Sequence, residues 1–230
     1  MDRSKRVRFG SPLLIAIAFD LALIGLRTAT YPQLLNLSDG RVLVVEAAAT
    51  LLVATFVAGA VRAKAGAGSE LEPASLLGLG AGALLAAHMA LELFGDHVGE
   101  NARITLAVMG AAFVTWAGAA YGAARKRHQI IPGVLAGIWC AMTSVVVAIS
   151  FGLALTFFKL PHADYVSTWP EFKQSGWSDP QAFGIANAFE SASSHVAVAL
   201  VLGGITGLMG TFLARILGRG WSPVVDEQDN

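Results

Sequence analysis

The stretch IPGVLAGIWCAMTSVVVAISFGLALTFF, residues 131–158, runs for 28 residues without one charged side chain. Wound as a helix it would be about 42 Å long, more than the roughly 30 Å of hydrocarbon in a bilayer. Such a segment reads as a membrane-crossing helix. Working outward from it, five more stretches are long and apolar enough to cross: 12–27, 42–61, 74–94, 104–124 and 183–213. The predicted fold class is therefore all-α: a polytopic membrane bundle of six transmembrane helices. Composition points the same way, since 14% of the chain is charged, against about 25% in an ordinary soluble domain.

The opening MDRSKRVRFG followed by SPLLIAIAFDLALIGL has the charge-then-apolar order of a signal peptide. Asp20 interrupts the apolar run and no small-x-small cleavage site follows, so it is read as the first helix. The chain then divides into a basic N-terminus (1–11), a transmembrane domain (12–218) and a short acidic tail (219–230). Eleven of the sixteen Lys and Arg residues fall on the side shared by both termini, and five, Arg27, Arg41, Arg103, Lys159 and Lys173, fall on the other. The positive-inside bias assigns the N and C termini and the ARKRHQ turn to the cytoplasm, in an inner or plasma membrane.

Glycines four apart, at 78 and 82, 118 and 122, 133 and 137, and 203 and 207, allow close backbone approach between membrane helices. They serve packing within one chain or between chains. The outer connection 159–182 is long, and its Tyr165, Trp169 and Trp177 suit the headgroup level; it reads as a cap on the bundle, either anchor or lid. The single cysteine, Cys140, is a small core residue. His97, His128 and His162 fall in loops. With zero net charge and no basic run interleaved with aromatics, nucleic-acid binding is set aside. The partners expected are the bilayer itself and a homo-oligomer or larger membrane complex.

Six ionisable residues stand out inside the spans: Asp20, Glu46, His88, Glu92, Glu190 and His195. With helix 1 ending at residue 27, no lysine or arginine accompanies them. Counting inward at about 1.5 Å per residue puts Asp20, Glu46, His88, Glu92 and Glu190 roughly 4 to 11 Å from the outer boundary and His195 roughly 18 Å deep. His88 and Glu92 share a face of their helix. Asn187, Glu190, Ser191, Ser194 and His195 fall within about 140° of arc at 100° per residue. A charge exposed to lipid at the bilayer centre costs on the order of 2.5 to 3.5 kcal/mol, so these groups are expected to converge inward on one outward-facing pocket. Four carboxylates in low dielectric then need neutralising by protons, the histidines, a metal, an organic cation, water or another subunit.

Three functional readings follow. The pocket binds protons or a cation and supports transport or permeation. Alternatively, the chain is an accessory or structural subunit whose polar residues act as interhelical glue. As a third reading it is a membrane-embedded metal-dependent enzyme, with His88, Glu92, Glu190 and His195 holding a divalent metal, although the Glu-x-x-His spacing of di-metal bundles is missing. Haem between His88 and His195 is disfavoured by a depth difference of roughly 7 Å. Retinal is not expected, because no span carries a lysine. A hydrolytic triad through Ser191 or Ser194 lacks the nucleophile-elbow pattern.

Overall fold

The computed structural model describes residues 11–65, 71–94, 102–158 and 166–218. The chain is all-helical, with no strand among the described residues: α1 (Ser11–Thr30), α2 (Ser38–Ala65), α3 (Leu71–Phe94), α4 (Ala102–Arg127), α5 (Ile130–Phe158), a short α6 (Pro170–Ser175) and α7 (Pro180–Leu217). Six of these, all but α6, are long and apolar enough to cross a bilayer. The basic segment before residue 11, the acidic tail, His97, His162, Tyr165 and the side chain of Glu92 lie outside the described residues.

The charge-free helix is the central one. α5 packs against α7, α3, α4 and α1, and Trp139, Cys140, Met142 and Val146 are almost completely buried along it. A helix apolar on every side suits this position, because it has no face that must meet water. Glycines set its distances to its neighbours. A β-carbon at Gly137 would lie 2.7 Å from the Gly207 α-carbon, and one at Gly78 would lie 2.8 Å from the Cys140 carbonyl oxygen. Three of the four glycine pairs thus serve packing inside the chain. Gly118 and Gly122 have nothing within 4 Å of a built β-carbon.

Two indole donors tie α5 to its neighbours: Trp139 Nε1 donates to Ser75 Oγ on α3 at 2.8 Å, and Trp116 Nε1 on α4 donates to Ser144 Oγ at 2.9 Å. In an apolar surrounding such groups must be satisfied internally. The basic last turns of α2 (Arg62, Lys64), α4 (Arg125, Lys126, Arg127) and α7 (Arg215) complement the negative ends of their helix dipoles. A tight turn through His128, whose φ is 54°, connects α4 to α5.

At the opposite end residues 166–179 fold onto the bundle. Trp169, Phe172 and Trp177 surround Phe183 on α7 edge-on, with ring centroids 6.5, 5.5 and 5.9 Å away. Pro180 and the Asp179 carboxylate start α7, Asp179 Oδ1 accepting from the backbone N–H of Gln181 at 2.9 Å and of Ala182 at 3.1 Å.

Candidate functional site

The inward face of α1 carries Leu13, Ile17, Asp20, Ile24 and Arg27 at helical spacing, all buried. Asp20 is fully enclosed, at 0% exposure, and Ser150 Oγ on α5 donates to its Oδ1 at 2.6 Å. Its Oδ2 is buried and has no partner. Seven residues further along α1, the Arg27 guanidinium lies over the Phe157 ring at 5.1 Å. Asp20 with Ser150 and Arg27 with Phe157 share one sequence offset, which places α1 and α5 side by side and parallel.

Arg27 corrects the sequence reading. A span ending at residue 27 left that arginine outside and the acidic groups without a positive counterpart; α1 runs to Thr30, and Arg27 is only 7% exposed. Its Nε and Nη2 are buried without partners. An uncompensated charge inside a protein costs on the order of 3 to 5 kcal/mol, so such atoms need a reason to be there.

One turn beyond Arg27, the Tyr31 hydroxyl donates to Asp179 Oδ2. Burial, then the hydrogen bond to Asp179 and its negative charge, push the Tyr31 phenol up to about 12, with Arg27 opposing. Tyr31 therefore stays protonated and remains a donor. Asp179 also lines a cavity of about 470 Å³ with Gln33, Asn36, Asp39, Ser175 and Trp177. Asp179 in the cavity wall thus meets Tyr31, and from Tyr31 the residues Arg27 and Asp20 follow at helical spacing along α1. One turn below Asp20 on α1 stands Ile17, and one turn below Ser150 on α5 stands Val146, both buried.

The other expected site residues are placed differently. Taking α5 as a ruler, Met89 touches Gly152, while Gly203 and Gly207 meet the 134–141 stretch of the antiparallel α5. Residue-by-residue extension then sets Asp20, His88, Glu190 and His195 at about one level, within roughly 12 Å along the bundle axis. They share a level but do not converge. Glu46 is exposed on α2, because the inward face there is Ala47, Leu51, Ala54, Ala58 and Val61. On α7 the small and aliphatic face (Ala182, Ile185, Ala186, Ala192, Val196, Ala199) turns to the bundle, so Asn187, Glu190, Ser194 and His195 are exposed and Ser191 is half-buried. Close packing selects small residues for the interior, and the polar arc takes the opposite side.

His195 folds back on its own helix, Nδ1 donating to the Ser191 carbonyl at 2.6 Å. His88 is half-buried on α3, and α4 and α5 stand between α3 and α7. Among the described residues no three His, Cys, Asp or Glu side chains come together in a way that could hold a metal ion. The convergence expected of Glu46, His88, Glu190 and His195 is replaced by a narrower site on α1 and α5, built from one expected residue, Asp20, and from Arg27, Tyr31, Asp179 and Ser150. The spacing 20, 24, 27, 31 was the signal for it. Comparison with known proteins finds no matching family model, no matching curated protein and no matching solved structure.

Proposed function

We propose that this is a multi-pass protein of an inner or plasma membrane, with the basic helix ends and both termini cytoplasmic, which takes up a proton or small cation from the outer side at Asp20 and supports its passage. The observation that carries this reading is the hydrogen-bond arrangement around Ser150. Its single hydroxyl proton has two acceptors in reach, Asp20 Oδ1 at 2.6 Å and the Val146 carbonyl at 3.0 Å. With Asp20 ionised, Ser150 donates to the carboxylate. With Asp20 protonated, the Asp20 hydroxyl donates to Ser150 Oγ and Ser150 donates to Val146, so the Asp20–Ser150 hydrogen bond persists in either state without moving a helix.

The charged group nearest Asp20 on its own helix face is Arg27, about 10 Å along the axis; α5 offers Ser150, and the inward face of α2 offers only apolar side chains. Passage beyond Asp20 requires a second arrangement of α1 against α5 that opens the buried apolar stretch carrying Ile17 and Val146. In vesicles loaded with a pH-sensitive dye, the wild-type chain should move protons, or sodium as the second probe, faster than protein-free vesicles. Asp20→Asn should return the rate to the protein-free level while eluting and melting as wild type does. Wild-type flux no faster than empty vesicles for either ion, or undiminished flux in Asp20→Asn, removes the reading.

A second reading, an accessory subunit of a larger membrane complex or a homo-oligomer, draws on the exposed polar arc of α7 and on Gly118 and Gly122, which none of the described helices covers. Cross-linking in native membranes through cysteines placed at Gly118 and Glu190 tests it. Cross-links to no protein at either position would leave the chain acting alone.

A further inference from the structure

The two unpaired nitrogens of Arg27 are not an arbitrary pair. Nε–H and the Nη2 amino group form the side edge of the guanidinium and point the same way, as the two parallel donors that grip a carboxylate or phosphate through two oxygens. The group sits against an aromatic ring: its Cζ lies over Phe157, 5.1 Å from the ring centroid. Arg27 is more than nine-tenths buried, and Asp179, the acid that meets the neighbouring Tyr31, is engaged with the Tyr31 hydroxyl and with two backbone N–H groups at the start of α7. The carboxylate of Asp20 is turned to Ser150. A buried fork left without an acceptor, one turn from the Tyr31 hydroxyl that donates to Asp179 in the wall of a polar cavity, has the build of a recognition element.

We infer that Arg27 is the anchor of an oxyanion site, reached from the outer cavity through the Tyr31 and Asp179 gate and taking the carboxylate or phosphate group of a small ligand. Tyr31 and Asp179 close the site on the outer side, and their mutual hydrogen bond must part to admit the group. Asp20, deeper on the same face, disfavours an anion that would descend further, which holds the bound group at the level of Phe157. The site shares the outward route of the Asp20 reading but not its ion-passage step, so binding and flux can fail separately.

The test uses the purified full chain in nanodiscs of phosphatidylcholine, with thermal unfolding followed while sodium acetate or sodium phosphate replaces sodium chloride at constant ionic strength. Saturable stabilisation by acetate or phosphate, absent with chloride alone, is expected. Arg27→Gln should raise the half-saturating concentration roughly 10- to 100-fold, the worth of a charge-assisted bidentate contact. Arg27→Lys keeps the charge and loses the fork, and should weaken binding at least about tenfold; it decides the matter if Arg27→Gln does not fold. Discs containing phosphatidylglycerol form a separate arm: stabilisation there that depends on Arg27, with none from aqueous acetate or phosphate, makes a lipid headgroup the source of the oxyanion. No saturable effect in any arm, or one that Arg27→Gln and Arg27→Lys leave unchanged, overturns the inference.

Discussion

The inner face of α1 and the outer arc of α7 carry the same kind of sequence and meet opposite fates. Each is a pair of ionisable residues in an apolar helix: Asp20 and Arg27 on one, Glu190 and His195 on the other. On α1 the pair is enclosed and keeps three polar atoms without partners. On α7 both residues are exposed, and His195 satisfies itself within its own turn. A coherent polar stripe is therefore no guide to the interior of a membrane bundle. What decides is the opposite face: on α7 that face is made mostly of small residues, alanine and glycine above all, and packs closely against α5, whereas α1 offers bulkier Leu13, Ile17 and Ile24 around its charges.

The largest expected effect concerns the enclosed side. Replacing Arg27 by Met, of similar length and without charge, should stabilise the fold by about 1 to 4 kcal/mol, because an unpaired buried cation is lost; a higher melting temperature with loss of the acetate or phosphate effect is the expected outcome. A lower melting temperature would mean that Arg27 is structurally compensated and would erase the contrast with α7.

Next in size is the junction between the two regions. Tyr31→Phe should cost about 1 to 2 kcal/mol by leaving Asp179 without its phenolic donor. Because the folded phenol ionises near 12, above its ordinary value of 10.0, its contribution is complete below about pH 10 and disappears as the pH rises through the folded value. Ultraviolet titration should show one of the three tyrosines ionising last, and that component should be missing in Tyr31→Phe.

The smallest effects belong to the outer arc. Glu190→Gln and His195→Ala should each change stability by no more than about 0.5 kcal/mol, as exposed substitutions do. A loss of several kcal/mol from either, seen as a drop in melting temperature in nanodiscs, would show the arc to be covered by another subunit and would support the accessory reading over autonomous uptake.

Much of this protein was legible in order along the chain. The six helices follow from length and apolarity, because the bilayer fixes how many residues a span needs. The shared level of Asp20, His88, Glu190 and His195 follows from a constant rise per residue. Three glycine pairs met neighbouring helices within the chain, since nothing larger fits between the helices they join. Arg27 was missed for a small reason with a large consequence: α1 continues past residue 27 to Thr30, and a boundary shift of three residues carries a cation from the rim into the wall of the site.

The amino-acid sequence by itself determined that six apolar helices form and that Asp20, His88, Glu190 and His195 stand at about one height. Only the tertiary structure decided which way those groups face, that Asp20 meets Ser150, and that Arg27, Tyr31 and Asp179 belong to one file. The physical reason lies in the solvent. In water, a helix hides its apolar stripe and the stripe can be read from the sequence. In lipid, the surroundings are as apolar as the core, so hydrophobic periodicity no longer marks the inward face, and close packing of small side chains makes the choice instead.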